Sequence, residues 1–409
     1  MRVDYNISDK FDFGLFIPAI LLMIIGYFAI YSATISHPTA EGNFEKQLIS
    51  GLIAVIIFFT VYFIPTNSFR MLSLPVYITA IVFLLAVITI GKTVSGQKSW
   101  LIIGPIGFQP SELAKLGVIL ALSAFLSKKN TDIESFKDIM IALLLGMIPV
   151  ALILLEPDLG SSIIFIGMIL VLIFWKGISL FGLFVVLSPA FVAIASLFGT
   201  YSLIGSLIIV ATILLLFRKD LFFSASIFAL NLAAGFFTDY VYTAFSPHQQ
   251  KRIQAFIDPM SDPLGSGYNS IQAQVAIGSG GLFGKGYLSG NQTQLQYIPE
   301  QWTDFIYCVI GEEFGFIGSL FVLVLFTSLF IRLLKIASVT KDEFLSLVVV
   351  GILSVFFIQY VINLGMVVGI LPVIGIPLPF VSYGGSSLLV NSIMLGIVAN
   401  IYRNRKNYT

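Results

Sequence analysis

Charge is what this sequence has least of: Asp, Glu, Lys and Arg together make up 11% of its 409 residues, while 57% are hydrophobic. Soluble domains carry roughly 25% charged residues, so a water-soluble globular fold is excluded. A single cysteine, Cys308, excludes an internal disulfide, and two histidines, His37 and His248, are too few for a Cys/His zinc set. Lys and Arg number 22 against 21 Asp and Glu, a net charge of +1. That balance excludes the basic footprint of a nucleic-acid binder, and no nucleic-acid partner is expected. There is no internal repeat and no low-complexity stretch.

What is present is a series of long apolar runs. The first, 13–34, follows MRVDYNISDKFDF with no small-residue cleavage site, so it is expected to remain as an uncleaved helix. Others cover about 48–65, 74–91, 111–126, 139–155, 159–175, 178–198, 201–217, 221–243, 303–333, 344–370 and 385–402. None alternates as a barrel strand would, and backbone amides in lipid must be satisfied within their own segment. The expected fold is an all-α polytopic membrane protein of about twelve transmembrane helices, one integral domain over 1–409.

Placing both termini in the cytoplasm puts fifteen Lys and Arg residues inside, Arg70, Lys176, Arg332 and Arg403 among them, against six outside, with Lys115 inside a helix. One helix more or fewer before residue 244 would invert every later loop and spoil this bias, so an even number there is expected. Two long outer connections then stand out, about 92–110 and 244–302. The second holds Tyr268, Phe283, Tyr287 and Tyr297 and the glycines 278, 280, 281, 284 and 286, the composition of a folded cap or re-entrant piece.

Few polar residues sit at membrane depth, and each is costly there unless paired or hydrated. Glu112 and Lys115, three apart on one helix face behind Pro110 and Ser111, form either a structural ion pair or a cavity lining that presents Lys115 to an anion. In EPDLGSS, Asp158 has the place of an N-cap, and Glu156 has no such ready explanation. The stretch KRIQAFIDPMSDPLGSGYNSIQ brings together Lys251, Arg252, Asp258 and Asp262, and both aspartates precede proline, which stiffens them. After Asp262 the GSGYN sequence lets the backbone approach a bulky ligand. Glu300 and Asp304 lie at the next helix start, and Glu312 and Glu313 are carboxylates in an apolar run. The last loop, with Pro372, Pro377 and Pro379 before Gly384–Ser387, reads as a cavity lining or a plain connecting hairpin.

Six segments in order resemble the SEDS family (shape, elongation, division and sporulation proteins) of cell-wall polymerases. They are GFQPSELAKL (107–116), EPDLGSS (156–162), the 251–272 stretch, GSGGLFGKG (278–286), IPEQWTDFIYCVIGEEFGFIGS (298–319) and GIPLPFVSYGGSS (375–387). The long stretch before Ile298 is similar to elongation-type rather than division-type members.

The resemblance implies a peptidoglycan glycosyltransferase that polymerises lipid II on the outer face of the bacterial cytoplasmic membrane during elongation. It also implies a class B penicillin-binding protein as crosslinking partner, the growing lipid-linked glycan and membrane lipid as companions, and other elongation-complex proteins nearby. By motif, Asp262 falls on the family's essential loop aspartate, Arg252 on its loop arginine, and Glu112 with Lys115 on its charged pair. Lys98 stands where the family often has arginine, which keeps the charge but loses the bidentate fork. The family usually has ten helices; here 178–243 reads as three where one is usual.

Lipid II carries its sugar on an α-linked pyrophosphate and the product is β-linked, so one in-line displacement inverts the donor carbon. Asp262 is expected as the base, or as ligand of a divalent cation (Mg or Mn) that activates the acceptor. Arg252, Lys115, Lys98 and Lys251 are expected around the leaving pyrophosphate. Two other readings fit a polytopic chain: a lipid-linked precursor flippase, which acts only across a sealed bilayer, and a noncatalytic scaffold for a partner synthase, which would tolerate loss of Asp262.

Overall fold

Each expected apolar run coincides with a helix. In the computed structural model, which describes residues 10–94, 97–103, 106–133, 135–217, 221–244, 247–258 and 267–405, the chain divides into two units. The first holds Met1–Lys176 with Asn269–Thr409, and the second Gly177–Tyr268.

In the first unit, α1 (Phe13–Thr34), α2 (Asn43–Phe63) and α3 (Asn67–Ile90) lead into three short strands, β1 (Lys92–Val94), β2 (Gln97–Ile103) and β3 (Ile106–Phe108). The helices α4 (Pro110–Leu126), α5 (Phe136–Leu155) and α6 (Leu159–Lys176) follow. The strands pair antiparallel in the order β1-β2-β3, with Lys92 opposite Trp100 and Leu101 opposite Phe108. This meander is the one departure from the all-α expectation among the described residues. A strand here does not lie bare in lipid, because its pairing satisfies the backbone.

The second unit contains α7 (Leu180–Ser196), α8 (Thr200–Phe217), α9 (Leu221–Ala244) and the polar helix α10 (Pro247–Ile257). Phe181, Val192, Val210, Leu214 and Ile227 form its core, and Asn231 there donates to the Ser188 hydroxyl at 3.0 Å and to the Ile227 carbonyl at 2.9 Å. These are the three helices read from 178–243. The first unit resumes with α11 (Tyr268–Ser279), α12 (Asn291–Gln294), α13 (Ile306–Val339), α14 (Glu343–Val367) and α15 (Gly385–Arg403).

Among the described residues, nine helices are long and apolar enough to cross a membrane, and Leu180–Ser196 and Ser224–Thr238 are shorter apolar ones. The remaining helix of the expected twelve, α4, is 17 residues long and carries the charged pair. The protein is therefore a multi-pass membrane protein.

At one end of the first unit, charges tie helices together. Arg332 donates to Asp12 at 2.7 Å, Arg70 to Asp342 at 3.3 Å and Lys176 to Glu343 at 2.5 Å. The opposite end is built of loops and folded connections. The 34 residues of α13 would run ~51 Å as one straight helix at 1.5 Å per residue, more than a ~30 Å hydrocarbon core requires. The helix breaks at Gly315, whose φ of 66° suits glycine, and a Cβ there would fall 2.2 Å from the Gly284 nitrogen.

Candidate functional site

Two groups of polar residues answer to the sequence expectations, one in each unit. In the first unit, the N-termini of three helices meet. Gln109, the N-cap residue of α4, donates from Nε2 to the Asp158 carboxylate at 3.5 Å. Asp158 caps α6, accepting from the Ser161 amide at 2.9 Å and its hydroxyl at 2.7 Å, which is the N-cap geometry expected. Ser386, in the first turn of α15, donates to the Gly107 carbonyl at 3.0 Å, two residues before Gln109. The loop before α15 closes on the same place, since a Cβ at Gly160 would sit 3.2 Å from both Ile374 and Ile376.

Just below lie Glu112 and Lys115, 4% and 1% exposed, with the ammonium 2.8 Å from Glu112 Oε2. The pair that the spacing allowed is formed: Lys115 meets the Glu112 carboxylate. Lys98 is also engaged. Its ammonium donates to the carbonyls of Ile88 at 2.7 Å and Thr89 at 2.9 Å, the last turn of α3, so it caps the C-terminus of that helix.

Glu156 is 1% exposed and neither carboxylate oxygen has a hydrogen-bond partner. Burial first, and the neighbouring Asp158 second, push its carboxyl up from 4.5 to about 8. Burial also holds Asp158 above the ordinary range; the Ser161 bonds and Lys115 oppose that, and Glu112 adds to it. Folded protein thus keeps a proton on Glu156 where unfolded protein has lost it. Stability is highest below about pH 4.5 for this group and falls as pH rises toward about 8. Glu156→Gln is expected to remove that slope, which thermal unfolding in detergent across the same window measures; an unchanged slope would assign it to another group.

In the second unit, Lys251 is exposed and Arg252 half-buried on α10, one residue apart and within eleven residues of Asp262 along the chain. Asp262 itself lies outside the described residues, as do Pro263, Leu264, Gly265 and Ser266 that follow it. Asp258 is described and exposed, just beyond the end of α10. Among the described residues, no three His, Cys, Asp or Glu side chains gather to hold a metal ion. A divalent cation therefore finds no ligand set among them.

Glu312 and Glu313 are the residues whose part sequence reasoning left open. Both are buried, and both bind the connection between α11 and α13. Glu313 accepts from the Ser32 hydroxyl at 2.5 Å and from Gln294 at 3.5 Å. Gln301, 1% exposed, donates to the carbonyls of Ala33 and Thr293, each at 3.0 Å. The signal available in sequence was two adjacent carboxylates flanked by Gly311 and Gly315 in an otherwise apolar run. A cavity of about 470 Å³ opens beside this connection, lined by Tyr31, His37, Glu41, Phe44 and Glu45, and it includes none of the sequence-predicted site residues.

The chain is similar to known proteins along nearly its whole length. The family model described as cell cycle protein, FtsW/RodA/SpoVE, matches residues 13–202 and 181–407. The two matches overlap at 181–202, inside the three-helix unit where the extra hairpin was expected. Peptidoglycan glycosyltransferase MrdB of Escherichia coli (strain K12) is 35% identical over 394 residues, covering 95% of this chain and 94% of that protein. Peptidoglycan glycosyltransferase RodA of Treponema pallidum is 31% identical over 432 residues, covering 97% and 98%. Among solved structures, a chain of a peptidoglycan synthase complex that coordinates polymerization and crosslinking superposes with a TM-score of 0.74 at 27% identity, over 97% of this chain and 98% of that one. The rod shape determining protein RodA of Thermus thermophilus superposes with a TM-score of 0.64 at 26% identity, over 97% of each chain.

Proposed function

The chain belongs to the FtsW/RodA/SpoVE family of cell cycle proteins, and from that premise we propose that it is a peptidoglycan glycosyltransferase of the RodA-like, elongation type. It polymerises glycan strands from lipid II on the outer face of the bacterial cytoplasmic membrane, with both termini in the cytoplasm. A class B penicillin-binding protein crosslinks the product beside it. The observation that carries this reading is the likeness to glycosyltransferases named MrdB and RodA across nearly the full length of both chains. The synthase-complex chain with which this one superposes supports the partner.

The chemistry follows from the substrate. The acceptor hydroxyl attacks the anomeric carbon of the donor from the face opposite the pyrophosphate; the new C–O bond forms as the bond to the pyrophosphate oxygen breaks. Asp262 takes the hydroxyl proton, and the proline that follows it in the sequence restricts its backbone, which suits a group that must hold its angle. Negative charge develops on the leaving pyrophosphate, and Arg252 and Lys251 supply positive charge on the same unit. Glu112, Lys115 and Lys98, engaged as described, hold the frame at the head of α4. A bound divalent cation would supply the same charge neutralisation.

The test is polymerisation of lipid II by the purified chain in detergent. Glycan strands are expected, and their absence with active partner present would overturn the reading, because a flippase needs a sealed bilayer and a scaffold makes no polymer. A chelator arm separates the two versions of the chemistry: activity that survives fits Asp262 as base, and activity lost and restored by Mg or Mn fits a metal-assisted attack.

A further inference from the structure

We infer that Glu312 is a positioning residue for glycosyl transfer: its buried carboxylate clamps the connection after α11 onto the broken head of α13 and so fixes the helix that follows the loop aspartate. The inference rests on the proposed role of Asp262.

Glu312 is fully buried, yet every lone pair is used by one remote stretch of chain. Its Oε1 accepts from Lys285 Nζ at 2.8 Å and from the Gln292 amide at 2.9 Å. Its Oε2 accepts from the Thr293 amide at 3.0 Å and hydroxyl at 2.9 Å. Four donors converge on a group that can only accept, and charge-assisted bonds of this kind are roughly twice as strong as neutral ones. A glutamine would turn an NH2 toward two of those donors. The negative charge itself is therefore what the stretch is built around.

Backbone bonds complete the clamp. Lys285 donates to the Glu312 carbonyl at 3.0 Å and Gly286 to the Glu313 carbonyl at 3.1 Å. Phe316 and Ile317 donate to the carbonyls of Gly281 and Leu282 at 2.9 and 3.1 Å. These are the groups that the break at Gly315 releases, and they would otherwise be orphaned. The end of α11 uses the same seat: Ile277 packs on Gly311, and a Cβ at Gly280 would fall 2.0 Å from the Gly311 carbonyl oxygen. α11 begins at Tyr268, six residues after Asp262 in the chain, so the seat holds the far end of the helix that leads on from the aspartate. Displacement of a reacting group by about 1 Å costs on the order of 10²-fold in rate. The rest of α13 does not depend on the clamp, because Leu325, Phe326, Leu329 and Leu333 bury its lower half.

The chain's single cysteine is fully buried, so Leu295→Cys, at a position 61% exposed, accepts a nitroxide label selectively. In that labelled background, Glu312→Gln is expected to raise label mobility and to lower kcat for glycan formation ~10²-fold, with KM for lipid II within about threefold. Glu312→Asp, which keeps the charge on a shorter stem, is expected to recover part of both. Should Glu312→Gln fail to fold, Thr293→Val is expected to give the same pair of changes at smaller amplitude. An immobile label, an unchanged kcat, or a loss confined to KM would each overturn the inference. Asp262→Asn in the same assay separates the two claims: if it polymerises normally, the aspartate's role falls, whereas the label still reports whether Glu312 clamps.

Discussion

Asp262→Asn protein will fold, insert and bind its crosslinking partner, and it will make no glycan strand from lipid II. Asparagine is nearly isosteric with aspartate and is equally at home before a proline, so the fold is expected to be retained while the proton acceptor is lost. General-base catalysis is worth roughly 10² to 10⁴-fold, and gel analysis of polymer from purified wild-type and variant enzyme resolves a loss of that size. Near-normal polymer would remove Asp262 from the chemistry. The same variant in a cell is expected to retain the partner at the membrane, which distinguishes a dead enzyme from a missing scaffold.

The second large effect is on folding. Lys115→Met leaves the Glu112 carboxylate buried and unpaired, at 4% exposure, with Asp158 as an electrostatic neighbour. Removing one partner of a buried pair typically costs about 3–5 kcal/mol, whereas replacing both with apolar groups is often neutral. We therefore expect Lys115→Met and Glu112→Leu each to lower the midpoint of thermal unfolding sharply. The double variant Glu112→Leu/Lys115→Met should recover most of the stability. Its activity then reports whether the charges do more than fill the core: a stable double variant that still polymerises would restrict the pair to the frame around the reaction.

How much of this was legible beforehand differs by residue. The twelve apolar runs were readable because a helix in lipid must be apolar for its whole length, a signal long enough to survive uncertain ends. Asp158 was readable as a cap because an aspartate followed by a short GSS run is a local pattern, and its bonds to Ser161 span three residues. The ion pair of Glu112 and Lys115 was half legible: spacing showed that they could meet, but only the surroundings decided that they close on each other. The bonds of Lys98 to the last carbonyls of α3 were not legible at all. No local pattern points from Lys98 to those carbonyls, because the turn that brings them together is made by the paired strands β1 and β2.

By itself the sequence determined that the chain is a multi-pass helical membrane protein of one family, that its polar chemistry is concentrated in a few motifs, and that three helices lie between 178 and 243. Hydropathy and short-range pattern suffice for these because lipid imposes them one segment at a time. Tertiary structure alone decided which charges are used up in holding the frame, where α13 breaks, and that Glu312 gathers donors from residues 285, 292 and 293. Those outcomes depend on which distant groups arrive at a buried carboxylate or a freed carbonyl, and partners about twenty residues away leave no periodic trace in the chain.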